Sequence, residues 1–218
     1  MTKVAVILSG CGVFDGAEIC ESVLTLWALE QEGAEYQCFA PNIEQAHVIN
    51  HLNGEEMSEK RNVLVESARI ARGNVKDLKE FAANEFDALI LPGGFGAAKN
   101  LSNFAFKGAD CDVNSDVLQA CKAMAESKKP CGYICISPAI IPKVYGEGAK
   151  LTIGNDKDTA ENIEKMGGEH VNCSVDKFVV DEELRVVSTP AYMLAGNITE
   201  AASGITKLVH HVVGMIER

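Results

Sequence analysis

Apolar and polar positions along this chain alternate between two rhythms. Val4-Ala5-Val6-Ile7-Leu8-Ser9 and Ala88-Leu89-Ile90-Leu91 are nearly unbroken apolar runs, the pattern of parallel strands buried on both faces. Glu35–Ala40 predicts a second strand, closed by Pro41, and Cys131-Gly132-Tyr133-Ile134 another buried one. Helical periods lie between them. The first spans 17–32, with Ile19, Cys20, Val23, Leu24, Trp27 and Ala28 as its apolar face and Gly33 as its stop. Others span 61–72, 114–127 (Val117, Leu118, Cys121, Met124), 159–166 and 199–216 (Ala202, Ile205, Val209, Val212, Ile216). Residues 150–153 are strand-like, and 177–180 with 185–189 predict a hairpin around Asp181-Glu182-Glu183. Residues 42–60 break the rhythm and are long for a connection, which points to a lid or binding loop. Strands alternating with helices predict an α/β fold with a doubly wound, mostly parallel sheet and helices on both faces, a three-layer sandwich.

Composition narrows the picture. With 218 residues, 47% of them hydrophobic, one large domain over 1–218 is expected. The formal net charge is −11 and no basic stripe is present, so nucleic acid and anionic membranes are poor partners. No apolar run approaches the roughly 20 residues of a membrane span. A strand beginning at Lys3-Val4 leaves no room for a targeting peptide, so a cytoplasmic protein is expected. Most of the eight cysteines sit in apolar patterns and read as small core residues in a reducing compartment. None has zinc-ribbon spacing, and no metal is expected.

The chemistry concentrates at the strand ends, where ligands bind in such folds. Lys129-Pro130-Cys131-Gly132-Tyr133-Ile134-Cys135-Ile136-Ser137-Pro138 reads as a buried strand ending at a cysteine and turning at once into a helix. A nucleophile on such an elbow is held clear of the sheet, and the helix start favours the reactive thiolate. Cys135 is therefore the candidate nucleophile. Cys11 also follows a strand but lacks an immediate helix, and ranks second. The Gly93-Gly94 turn reads alone as a tight turn, and paired with the elbow as an oxyanion donor. Glu18, in the first helical turn, either complements the helix dipole or hydrogen-bonds Cys135 and shuttles a proton. Gly10-Cys11-Gly12-Val13-Phe14-Asp15-Gly16 departs from the dinucleotide fingerprint at Asp15, whose charge would repel phosphates. No cofactor is expected. Downstream of Cys135, His170, His210 and His211 all lack the acid two residues on that an amidotransferase triad needs.

Leu8-Ser9-Gly10-Cys11-Gly12-Val13-Phe14-Asp15-Gly16, Val48-Ile49-Asn50-His51, Arg61-Asn62-Val63-Leu64, Thr189-Pro190-Ala191 and the run from Pro92-Gly93-Gly94-Phe95-Gly96 to Ala97-Ala98-Lys99-Asn100-Leu101 closely resemble the ElbB (enhancing lycopene biosynthesis) family. That family lies in the PfpI-type branch of the class I glutamine amidotransferase-like superfamily. The resemblance runs over essentially the whole chain and implies a flavodoxin-like fold. It implies Cys135 as elbow nucleophile, Glu18 as acidic partner and the backbone of Gly94 and Ile136 as oxyanion site. It further implies slow, cofactor-free glyoxalase activity on glyoxal or methylglyoxal, a link to isoprenoid biosynthesis, and a homodimer. Ile136 stands where PfpI-type peptidases carry a histidine, which argues against a peptidase. The alternative is a redox-sensing or regulatory protein built on an oxidisable Cys135.

Overall fold

The computed structural model describes residues 1–216. The amino-terminal half runs β1 (Lys3–Ile7), α1 (Ile19–Gln31), β2 (Glu35–Ala40), α2 (Val63–Ile70), β3 (Val75–Asp77), β4 (Ala88–Leu91), α3 (Phe95–Lys99) and α4 (Phe104–Lys107). The remainder runs α5 (Ser115–Glu126), β5 (Cys131–Ile134), α6 (Ile141–Tyr145), β6 (Lys150–Leu151), α7 (Lys157–Lys165), β7 (Glu169–His170), β8 (Val179–Asp181), β9 (Val186–Thr189) and α8 (Ile198–Ile216).

Seven strands form one sheet in the order β3-β2-β1-β4-β5-β9-β8. Every neighbouring pair is parallel except β8 with β9, the hairpin read from the sequence. Side chains of the central strands alternate between two cores. Ala5, Ile7, Leu89, Leu91, Cys131 and Tyr133 pack toward α5 and α6. Val4, Val6, Leu8, Ala88, Ile90 and Ile134 pack toward α1 and α8. This is the flavodoxin-like, doubly wound architecture with helices on both faces. The order reverses between β1 and β4, and the carboxyl ends of β1, β4 and β5 meet at that switch point, where such sheets bind ligands.

Four segments depart from the sequence reading. The stretch expected as a strand over 150–153 is only β6, which pairs with β7 in a separate two-stranded sheet. Its continuation is tied back to the main sheet when Thr152 N–H donates to Ser188 Oγ at 2.9 Å, which carries 154–159 toward the switch point. The elbow does not open into a long helix. Residues Ser137–Ile140 make a single 3-10 turn before the five-residue α6, too little aligned backbone for a strong helix dipole.

The largest departure is in α1. Its expected apolar face is turned outward: Ile19, Val23 and Trp27 are 46%, 50% and 48% exposed. Glu21, Ser22 and Thr25 are buried instead, beside Leu26, Ala28 and Leu29. Thr25 and Ser22 offset their burial by donating to the carbonyls of Glu21 and Glu18, both at 2.7 Å. Residues 42–60 likewise act as a brace, not a lid. Buried Asp15 accepts Ile49 N–H at 2.8 Å, Asn100 Oδ1 accepts Ala46 N–H at 2.9 Å, and His51 Nε2 accepts Phe14 N–H at 3.1 Å. Together these pin the loop onto 10–16.

Candidate functional site

Cys135 sits just past β5 with φ +63°, a left-handed conformation that a non-glycine residue holds only when its surroundings enforce it. The enforcement is visible. Cys135 N–H donates to Thr189 O at 3.0 Å across to β9. The fully buried Ser137 hydroxyl accepts Ile134 N–H at 2.8 Å and donates to Leu91 O at 2.9 Å, stitching both sides of the turn to β4. The chain therefore reverses at the cysteine, just past the carboxyl end of a central strand, and the residue is 7% exposed.

Three groups meet that sulfur. The backbone amides of Gly94 and Ile136 and the Glu21 carboxyl group all lie beside it. These are the two amides that the ElbB resemblance implies as an oxyanion site. The acid is a correction. Glu18 is spent as the amino-terminal cap of α1, its Oε2 accepting Glu21 N–H at 2.6 Å, with the Ile19 and Cys20 amides also facing it. Glu21 is one turn further along, on the inward face, and is fully buried. Its Oε2 accepts Gly93 N–H at 2.9 Å and its Oε1 accepts Tyr192 N–H at 3.2 Å. Nothing in an isolated Glu18–Glu21 pair says which carboxyl faces inward. The signal lay in the inward positions of α1, small and polar at Ser22 and Thr25, which the outward apolar stripe concealed.

Gly93 and Gly94 close the site from β4. A Cβ at Gly93 would lie 2.4 Å from Cys135 Cβ, 2.7 Å from Glu21 Oε2 and 2.8 Å from Ile134 O. Gly94, at φ +92°, would place one 2.4 Å from Glu18 N and from Gly16 O. Glu18 N–H donates to Gly93 O at 2.9 Å, so the start of α1 is locked to this turn.

Electrostatics follow from burial. Glu21 is pushed up to about 8, first by loss of water, then by the Glu18 carboxylate, against the amides of Tyr192 and Gly93 and the Cys135 thiol. The Cys135 thiol is raised well above its ordinary value by burial and then by Glu21, opposed by the Gly94 and Ile136 amides. The resting sulfur is thus a thiol beside an acid, not the standing thiolate that a helix dipole was expected to give. The two groups titrate as a coupled pair.

A cavity of about 370 Å³ opens onto Cys135. One side is apolar, formed by Val13, Phe95, Ala98, Phe104, Ala105 and Ile136. The other carries Tyr192, Met193, Asp156 and Thr159. Asp156 caps α7, accepting Thr159 N–H at 2.9 Å and the Thr159 hydroxyl, which hold its carboxyl below the usual range. Tyr192 is pushed up to about 12, by burial first and then by Cys20, so its phenol is neutral. None of the five histidines lines this cavity. His170 Nε2 accepts Ile153 N–H at 3.2 Å, and His210 faces Glu32 at 3.0 Å on the far surface.

The 10–16 loop spends its amides internally or on the brace. Gly12 N–H donates to Ala17 O at 2.9 Å, Gly16 N–H to Gly12 O at 2.7 Å and Gly10 N–H to Ser67 Oγ at 2.9 Å. Asp15 serves the brace. Among the described residues, no cluster of three or more His, Cys, Asp or Glu has the arrangement of a metal site, and no helix is long and apolar enough to cross a membrane.

Comparison with known proteins places this geometry. The model of the DJ-1/PfpI family matches residues 3–195. A human protein, glutamine amidotransferase-like class 1 domain-containing protein 3, mitochondrial, is 44% identical, the match covering 97% of this chain and 82% of the relative. An Ehrlichia chaffeensis isoprenoid biosynthesis protein with an amidotransferase-like domain, solved as a crystal structure, superimposes with a TM-score of 0.92 at 40% identity over 98% of this chain and 99% of that one. Glyoxalase III from Candida albicans has the same fold, with a TM-score of 0.63 at 16% identity over 98% of this chain and 96% of that one.

Proposed function

We propose, for a chain that belongs to the DJ-1/PfpI family within the class I glutamine amidotransferase-like superfamily, a cofactor-independent glyoxalase that converts a 2-oxoaldehyde to the 2-hydroxy acid. The observation that carries this reading is Cys135 set beside the fully buried Glu21 across Gly93, where a Cβ would lie 2.4 Å from Cys135 Cβ and 2.7 Å from Glu21 Oε2, with the Gly94 and Ile136 amides next to the sulfur. Ionised Glu21 takes the thiol proton as Sγ bonds to the aldehyde carbon. The carbonyl electron pair becomes an alkoxide, which the Gly94 and Ile136 N–H groups would hold until Glu21 passes the thiol proton to it, giving the hemithioacetal and restoring the carboxylate. Glu21 then removes the hydrogen on that carbon as a proton while the neighbouring carbonyl oxygen gains one, forming an enediol. Glu21 returns the proton to the neighbouring carbon while the hydroxyl on the sulfur-bearing carbon loses its own, balancing the proton gained earlier by the other oxygen and giving a thioester: one carbon is oxidised, its neighbour reduced, and no external oxidant is needed. Water cleaves the thioester, releasing the 2-hydroxy acid and restoring the thiol.

Loss of methylglyoxal without added glutathione or metal, followed in the parent and in Cys135→Ser, tests the reading. Activity that disappears in the variant supports it, and equal loss in both refutes it. If neither form turns over aldehyde while mild peroxide oxidises Cys135 selectively, the redox-sensing alternative takes its place. The link to isoprenoid metabolism rests on the ElbB resemblance and on the Ehrlichia protein's name. A second copy of the chain is proposed to cover the outward stripe of Ile19, Val23 and Trp27, an apolar row uncommon on a free helix face. Sedimentation should give a dimer for the parent and a monomer for Val23→Glu. A parent that sediments as a monomer at micromolar concentration would refute this.

A further inference from the structure

The cavity in front of Cys135 is oversized for the small substrates just considered. Methylglyoxal has five heavy atoms, whereas about 370 Å³ falls within the roughly 300–1,000 Å³ of sites that hold much larger molecules. Its walls are apolar: Val13, Phe95, Ala98, Phe104, Ala105 and Ile136. A two- or three-carbon aldehyde bonded to Cys135 would leave most of that surface facing water.

The charge of the lining is equally selective. No lysine, arginine or histidine lines the cavity. Lys99, the nearest cation in sequence to the apolar wall, donates to Phe14 O at 2.9 Å and lies over the Phe95 ring on the side of a different cavity. Apart from Cys135, the ionisable side chains lining the cavity are Tyr192 and Asp156. Asp156 is exposed to solvent and caps α7, its carboxylate held by Thr159. A carboxylate entering here would find no cation and would face a fixed anion.

Resting on the glyoxalase reading, we infer that the site selects uncharged 2-oxoaldehydes whose carbonyl carries a branched or aromatic apolar group, and that Asp156 excludes substrates bearing a carboxylate. The same arrangement favours release of product. Thioester hydrolysis turns a neutral ligand into a carboxylate in a cavity with nothing to hold it. A free amino acid such as glutamine, which brings its own carboxylate, is disfavoured on the same ground.

Isobutylglyoxal and methylglyoxal, assayed on the full chain, test the apolar wall. The branched aldehyde should have a kcat/KM about tenfold higher or more, as extra buried carbons in an apolar pocket give. Ala105→Phe, which fills the wall, should lower that preference at least fivefold. Equal kcat/KM for the two aldehydes would overturn the inference while leaving the glyoxalase reading intact. A second measurement needs no turnover. Alkylation of Cys135 is followed by mass spectrometry with iodoacetamide against iodoacetate, and with N-phenylmaleimide against N-ethylmaleimide. The neutral and the aromatic reagents should each react faster by more than their ratio on a free thiol. Asp156→Asn keeps a good helix cap and should narrow only the iodoacetamide-to-iodoacetate ratio. Selective labelling without aldehyde turnover would refute the glyoxalase reading and the aldehyde substrates with it, leaving only the cavity's preference for neutral, apolar ligands, whereas unselective labelling would overturn the inference itself.

Discussion

Cys11 and Cys135 occupy matching places, each beyond the carboxyl end of a central parallel strand and each close to a glycine turn. They end with different chemistry. Cys11 is the more accessible of the two, yet its thiol is raised by burial, Glu66 and Asp15 against Arg69 and Arg61, and its loop folds back on itself before α1 begins. Cys135 is more deeply buried, but it stands on a left-handed residue, under two amides and against one acid. The difference teaches that exposure alone does not single out the proposed nucleophile. What sets Cys135 apart is a turn that delivers its sulfur to amides fixed by other strands, beside a carboxyl group whose own burial raises its pKa.

The largest effect should come from removing the sulfur. Cys135→Ser keeps the elbow and the bonds of Ser137 but leaves a hydroxyl far less acidic than the thiol, so aldehyde turnover should fall to background. Next is Glu21→Gln, which should cost about a hundredfold or more in kcat/KM by removing the general base. In the parent, activity should rise with pH through about 8, as Glu21 loses its proton. That limb should vanish in the variant. The same substitution has a stability signature. Glu21 is raised from its ordinary 4.5 to about 8 in the folded chain, so between those values the native state holds a proton that the unfolded state has lost. The parent's stability from this group is complete below 4.5 and should decline by about 1.4 kcal/mol per pH unit until about 8. Denaturant unfolding of both proteins across that range should therefore move steadily in favour of Glu21→Gln. A constant difference between them would mean that Glu21 is ionised throughout.

Helices α1 and α8 explain what was legible in the sequence. In α8, Ile205, Val209 and Val212 recur at helical spacing and are all buried, because that helix only has to pack. In α1 the same kind of pattern points the wrong way. Its inward face carries the buried Glu21 with Ser22 and Thr25 around it, so Ile19, Val23 and Trp27 fall outside while Leu26, Ala28 and Leu29 pack inward. The buried strands, the elbow cysteine and the glycine turns were legible because each is a local signal: an apolar run, a strand-to-helix junction, a doublet with no Cβ. The acid was not, because choosing between Glu18 and Glu21 depends on how α1 sits against Gly93 and Tyr192, which lie 72 and 171 positions further along. Tyr192 was missed for the same reason, although it directly follows Thr189-Pro190-Ala191. Asp156 and Thr159 reach the cavity through a two-stranded sheet whose β7 left almost no trace in the sequence.

Glu18→Gln and Cys11→Ser sharpen the comparison with smaller effects. Removing the Glu18 charge takes away one of the two influences that raise Glu21, so the rising limb of the pH profile should shift to lower pH. Activity at pH 7 should then increase modestly, whereas a residue acting as the catalytic acid could only lose it. The amide can still accept Glu21 N–H as a cap, so the stability change should stay within about 1 kcal/mol. A large loss of turnover in this variant would return the acid's role to position 18. Cys11→Ser should be the mildest of all. The sulfur is half-exposed, does not line the Cys135 cavity and is not among the groups that meet Glu21. Its kcat/KM should stay within about twofold of the parent, since surface changes away from special contacts seldom exceed about 0.5 kcal/mol. A loss comparable to that of Cys135→Ser would mean that the two strand ends share the chemistry, and the contrast drawn between them would fail.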